Sequence, residues 1–114
     1  MIKIIKHLKG APGLRMFGIG PSMIPVRGIK KLKRLLDENT FWAKGRSEKN
    51  LKKLLANSSS IISIWEKKRM IGFGRATSDT VYRAVIWDVV VASDKRGLGL
   101  GTVIIKELLK SKAL

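Results

Sequence analysis

A chain of 114 residues has room for one domain with a single core, and its lack of cysteine excludes disulfides, thiolate metal sites and cysteine nucleophiles. Apolar residues make up 45% of it, yet no uninterrupted apolar run approaches the roughly 20 residues of a membrane helix, so a soluble protein without membrane insertion is expected. Lys and Arg outnumber Asp and Glu by 24 to 8, and the formal net charge of +16 attracts polyanions, whether nucleic acid, acidic membrane or a phosphorylated cofactor.

The charge is densest at the start, where residues 1–36 carry Lys and Arg but no acid. No apolar stretch of signal-peptide length follows Lys3, Lys6 and Lys9, and Ser22 is the only hydroxyl residue before Thr40, so no cleaved targeting peptide is read there. His7 lies among lysines, far in sequence from the first acid at Asp37, and reads as a solvated surface residue rather than a metal ligand or a triad member. Residues 10–28 hold every proline of the chain (Pro12, Pro21, Pro25) among Gly10, Gly13, Gly18, Gly20 and Gly28, which reads as loop with a short strand around Leu14–Ile19. Residues 1–28 are therefore expected to be an irregular basic segment ahead of a domain over 29–114.

Ile29, Leu32, Leu35 and Leu36 recur at helical spacing with Lys30, Lys31, Lys33 and Arg34 opposite, an amphipathic helix whose apolar face packs on the core. Ser47 is a natural N-cap for a second helix to Ala56, with Leu51, Leu54 and Leu55 facing inward. The period then changes. Ile61–Trp65 and Met70–Ala76 are short, β-branched or aromatic, and joined by Glu66-Lys67-Lys68-Arg69, which predicts a hairpin. After a turn over Thr77–Tyr82, in which Asp79 reads as a turn residue, the nearly all-apolar run Ala84–Ala92 predicts a strand covered on both faces and central in its sheet. Helical spacing returns over Thr102–Lys112 through Val103, Ile104, Leu108 and Leu109. The order indicates an α/β (α+β) domain: two helices, three antiparallel strands, a glycine loop and a helix.

The loop Arg96-Gly97-Leu98-Gly99-Leu100-Gly101 between strand and helix is a phosphate site in principle. Glycines let successive N–H groups converge, the helix N-terminus adds unpaired donors, and Arg96 adds charge. A Walker A loop needs Lys and Ser/Thr after its last glycine, whereas Gly101 is followed directly by Thr102. A dinucleotide fingerprint needs a third glycine where Thr102 or Ile104 stands, and Gly18-Ile-Gly20 and Gly72-Phe-Gly74 also lack it. R-x-x-G-x-G, filled by Arg96, Gly99 and Gly101, remains.

That motif after a long strand resembles the pyrophosphate-binding motif of the GNAT acetyltransferases. With Ile71-Gly-Phe-Gly-Arg-Ala-Thr-Ser-Asp79 and Ile86-Trp-Asp-Val-Val-Val91, the chain looks like the branch holding the plant chloroplast serotonin and lysine N-acetyltransferases and similar proteins of algal plastid genomes. The resemblance runs from about Lys30 to Leu114. It implies a GNAT-like mixed sheet, acetyl-CoA as co-substrate without a metal, an amine acceptor on a small molecule or protein, and a plastid stroma location, or cytoplasm for a bacterial chain. It also implies that Val89, Val90 and Val91 meet the pantetheine arm, that amides of Arg96, Gly97, Leu98, Gly99, Leu100 and Gly101, with Thr102, hold the pyrophosphate, and that the strand carries a bulge opening the cleft. No enzyme nucleophile is required.

Asp88, the one carboxylate in an apolar strand, is a candidate general base with a pKa raised by burial; equally, it bonds neighbouring backbone or an arginine. Trp65 and Trp87 are candidates for the acceptor side or for core packing. The family continues beyond this helix with a strand, a helix and two strands, and uses a tyrosine to protonate the departing thiolate, a role Tyr82 cannot fill from its turn. On that ground the chain is expected to be a C-terminally truncated enzyme, impaired or inactive alone, with another chain or a missing segment completing the sheet. The alternative is a basic, non-catalytic protein of RNA or a ribosomal surface, supported by Phe41-Trp42 beside Lys44 and Arg46.

Overall fold

The computed structural model describes residues 1–79 and 83–110; the end of the expected 77–82 turn, with Tyr82, and the last residues of the expected final helix lie outside the described residues. Its elements run β1 (Ile2–His7), α1 (Pro12–Phe17), α2 (Gly28–Asn39), α3 (Glu48–Ala56), β2 (Ser60–Glu66), β3 (Arg69–Ser78), β4 (Ala84–Val91) and α4 (Leu100–Leu109). The strands form one sheet in the order β1-β2-β3-β4, antiparallel throughout. The expected helices, hairpin and third strand are all present. Ser47 caps α3 by accepting the Asn50 N–H at 3.1 Å, and Asp79 accepts the Arg83 N–H at 3.0 Å ahead of β4.

Residues 1–28 are not irregular. β1 pairs with β2 from Ile2 opposite Glu66 to His7 opposite Ile61, which makes the N-terminus an edge of the same sheet. Lys3 and Lys6 stand on that edge, where charged side chains discourage pairing with other chains. In place of the short strand expected around Leu14–Ile19 there is a helix. Pro12 in its first turn presets φ, and Gly18, at φ +62, ends it by returning its N–H to Leu14 O at 3.0 Å.

Two layers of helix cover the sheet. On one face Leu32 and Leu36 of α2, with Leu51 and Leu55 of α3, are buried with Ile61, Trp65 and Phe73. On the other, α4 lies across β2 and β3, and Ile104 and Leu108 are fully buried. Gly74 makes that approach possible. A Cβ there would come within 2.4 Å of Ile104 Cγ2 and 3.3 Å of Leu108 Cδ1. Burying two such side chains contributes about 1.5–3 kcal/mol each.

β4 departs from expectation. It pairs with β3 alone among the described residues, and Val85 and Trp87 are 43% and 45% exposed. The helices explain this. α4 reaches Val89 and Val91 and the opposite layer buries Val90, but in the first half of the strand only Ile86 packs on the core. Trp87 instead lies exposed, with its Nε1 donating to Thr77 Oγ1 at 2.9 Å and the Arg75 guanidinium over its ring. Trp65 belongs to the core.

His7 is not a solvated residue either. It is half-buried at the end of β1 with Nε2 2.7 Å from Ser63 Oγ, which also accepts the Trp65 indole N–H at 2.8 Å. Burial pushes the imidazole down from 6.5 to about 4, so it is neutral at pH 7 and shares a hydrogen bond with the Ser63 hydroxyl.

Candidate functional site

β4 is bulged. Phe73 pairs with Val90, but Arg75 pairs with Trp87, so Asp88 and Val89 together oppose Gly74. Asp88 takes φ +53, a conformation that Asp tolerates better than most side chains. The expected bulge is thus present, and it re-aims Val89–Val91 relative to β3.

The chain then turns through Ala92–Lys95 into the glycine loop. Gly97 and Gly99 have φ +89 and +76, values that favour glycine. Gly99 is the N-cap of α4, which has no side-chain cap and no acid in its first turn. The N–H groups of Leu100, Gly101 and Thr102 therefore have no partner within the helix, at its positive end. A Cβ on Gly97 or Gly99 would meet nothing within 4 Å, and one on Gly101 would meet only Val91 Cγ2 at 4.0 Å. The protein's own packing does not require a glycine at 101. The space over these amides is open to a ligand, and unpaired donors with positive charge beside it fit a pyrophosphate.

Side chains from other elements fix this loop. Arg69 at the β2–β3 turn forms a two-bond pair with Asp94 at 2.7 and 2.8 Å, which holds the Asp94 carboxyl down to about 2. Lys95 reaches Glu66 of β2 at 2.9 Å. From the other side Asn39, the last residue of α2, donates Nδ2–H to Leu35 O at 2.8 Å and accepts the Ser93 N–H on Oδ1 at 2.9 Å. Its carbonyl also receives the Arg96 guanidinium at 3.4 Å.

A cleft of about 350 Å³ lies between these parts. Val89, Val90 and Val91 line it along the strand; Arg96, Gly97, Gly99, Leu100, Gly101 and Thr102 line it along the loop. Leu98 does not, since it sits 60% exposed outside the lining. Sequence reasoning missed Asn39, Trp42 and Lys95, which also line the cleft. Asn39 carried a signal, a polar residue ending a helix that could bond both ways. Trp42 was assigned to the nucleic-acid alternative with Phe41, and the two rings do pack edge to face at 5.4 Å, but Trp42 faces the strand and loop just described.

Asp88 is absent from the cleft lining and its side chain is 6% exposed. Arg46 donates to it through Nη1 at 2.9 Å and Nη2 at 3.2 Å, and Arg75 through Nε at 2.9 Å. Burial does raise its pKa and is the largest single influence, but the hydrogen bonds and charges of both arginines together outweigh it, and the carboxyl is held below its ordinary value. The expectation of a raised pKa is therefore corrected, and the arginine-bonded reading of Asp88 describes the structure.

Residues 29–113 match the Acetyltransferase (GNAT) family. The chain belongs to that family. It is 46% identical over 86 residues to the uncharacterized N-acetyltransferase ycf52 of Pyropia yezoensis, a match covering 72% of this chain and 48% of that one. Over 46 residues it is 41% identical to GCN5-related N-acetyltransferase 2, chloroplastic, of Arabidopsis thaliana, covering 40% and 18%. A probable acetyltransferase of Staphylococcus aureus shares the fold at a TM-score of 0.69 and 18% identity, over 96% of this chain and 68% of that one. The chain spans about half the length of the curated relatives it matches. No helix among its described residues is long and apolar enough to cross a membrane.

Proposed function

We propose that these residues form the acetyl-CoA-binding part of an N-acetyltransferase. The observation that carries this is the open glycine cradle at the uncapped start of α4, set directly beyond a bulged strand. When bound, acetyl-CoA supplies an acetyl group activated as a thioester for attack by an amine. The N–H groups of Gly97 to Gly101 and Thr102 would hold its pyrophosphate, with Arg96 free to turn from its long bonds to Val91 O and Asn39 O toward the negative charge. Val89, Val90 and Val91 would receive the pantetheine arm, and Trp42 would close the cleft opposite them. The acceptor is an amine, on a protein lysine or N-terminus or on a small arylalkylamine. Its proton leaves by a route other than Asp88, whose oxygens are committed to arginine. The chloroplast assignment carried in one relative's name supports a plastid location.

Thermal unfolding with and without ligand tests the reading. A ligand at 100 times its Kd stabilises the native state by about 2.7 kcal/mol. Acetyl-CoA and CoA are expected to raise the melting temperature. No rise with either, together with tight salt-sensitive RNA binding, would favour the nucleic-acid alternative.

A further inference from the structure

Asp88 is a buried carboxylate for which cofactor binding as described has no use. It occurs where β4 breaks register, at a left-handed φ, and its oxygens receive three hydrogen bonds from two separate elements. Arg75 comes from β3, with its guanidinium also over the Trp87 ring and 3.4 Å from Ser58 Oγ. Arg46 comes from the segment joining α2 to α3. That segment is tied to β4 and its turn at both ends. Asn39 holds Ser93 at one end and Arg46 holds Asp88 at the other, so Trp42 is carried across the strand between two fixed points.

We propose that Asp88 is a positioning residue: with Arg46 and Arg75 it locks the bulge and the Trp42 wall in the arrangement that receives the acyl end of acetyl-CoA, while the glycine loop alone receives the phosphate end. This rests on the cofactor reading above. Bidentate pairing suits the task, because a guanidinium fork fixes direction as well as distance. Breaking the cluster leaves the loop amides where they are, since those are fixed by Asn39, Arg69 and Lys95.

The two ends separate experimentally by calorimetric titration of the full chain with acetyl-CoA and with adenosine 3′,5′-bisphosphate, which engages only the phosphate end. Arg46→Met removes one arm of the cluster and keeps the Arg75–Asp88 pair, so the fold is retained. It is expected to weaken acetyl-CoA about tenfold, the scale of one charge-assisted hydrogen bond, and to leave the bisphosphate within about twofold. Asp88→Gly keeps the left-handed backbone without the carboxylate and is expected to show the same split. The double variant should lose no more than the larger single loss, as for residues acting as a unit. Unchanged acetyl-CoA affinity in Arg46→Met or in Asp88→Gly would overturn the proposal, as would equal loss of both ligands. A wild-type chain binding acetyl-CoA no tighter than the bisphosphate would overturn it while leaving the phosphate cradle standing. A wild-type chain binding neither would remove the cofactor reading and this one with it.

Discussion

Gly101→Ala separates ligand binding from folding. Gly101 is the second residue of α4 and has no positive φ, and an added Cβ would meet only Val91 Cγ2 at 4.0 Å, an ordinary contact. Within the fold the methyl is therefore free of strain. Replacing glycine by alanine in a helix stabilises by about 0.5–1 kcal/mol, and less in the first turn. For a domain of this size that is a rise of at most about 4 °C in melting temperature. The same methyl projects into the space where a phosphate would approach the amides of Leu100, Gly101 and Thr102. Losing one hydrogen bond to a charged group costs about 1.5–3 kcal/mol, so acetyl-CoA affinity should fall tenfold or more, to about a hundredfold. Calorimetric titration gives the affinity and a thermal melt gives the stability. Gly99→Ala is the contrast: at φ +76 it costs about 1–2 kcal/mol of fold stability as well, so both readouts fall together. A Gly101→Ala chain that melts at or above the wild-type temperature and binds acetyl-CoA equally well would refute the placing of the pyrophosphate on this loop.

Three further outcomes test the fold that carries the site. His7 has a folded pKa of about 4 against 6.5 unfolded, so its contribution is complete above pH 6.5 and is lost as the pH falls toward 4, at most about 3 kcal/mol; His7→Gln should flatten that part of the melting-temperature profile, and an unaltered profile would contradict the buried neutral imidazole. Gly74→Ala should destabilise by about 1–3 kcal/mol through overpacking against Ile104, seen as a lower urea midpoint, and adding Ile104→Ala should cost less than the sum of the two single changes. Ser47→Ala should remove about 1 kcal/mol with the α3 cap, measured in the same titration, and a neutral result would mean that the Asn50 N–H finds another acceptor.

Residues legible in the sequence are those whose task is set by their own backbone. Gly97 and Gly99 adopt a φ that glycine suits, and Ser47 bonds an amide three residues away, so type and spacing were enough. β1 was hidden because Lys3 and Lys6 break its apolar pattern and its partner strand is more than fifty residues distant; only the pairing with β2 makes a strand of it. His7 was hidden for the same reason, since Ser63 and Trp65 reach it only once that pairing exists. The strand and glycine-loop side of the cleft is therefore legible in the sequence, while its opposite wall, Asn39 and Trp42, comes from a segment brought over β4 by the fold.

Asp88 shows where the limit falls physically. A carboxylate in an apolar strand must either take up a proton, which raises its pKa, or gather cations that keep it charged. The local sequence supplies only the burial and so points to the first solution. The second depends on Arg75, thirteen residues away on the neighbouring strand, and on Arg46, forty-two residues away in a helix connection. Each arginine offsets part of the desolvation, and together they reverse the sign of the shift. Removing one arginine leaves the carboxylate opposed by a single cation, whereas removing both would leave a buried charge unpaired and cost the fold several kcal/mol. Either single change leaves one cation, but Arg75 stands on β3 and Arg46 on the connection between α2 and α3, so Arg46 is the residue at which the cluster can be opened with the strand pairing kept.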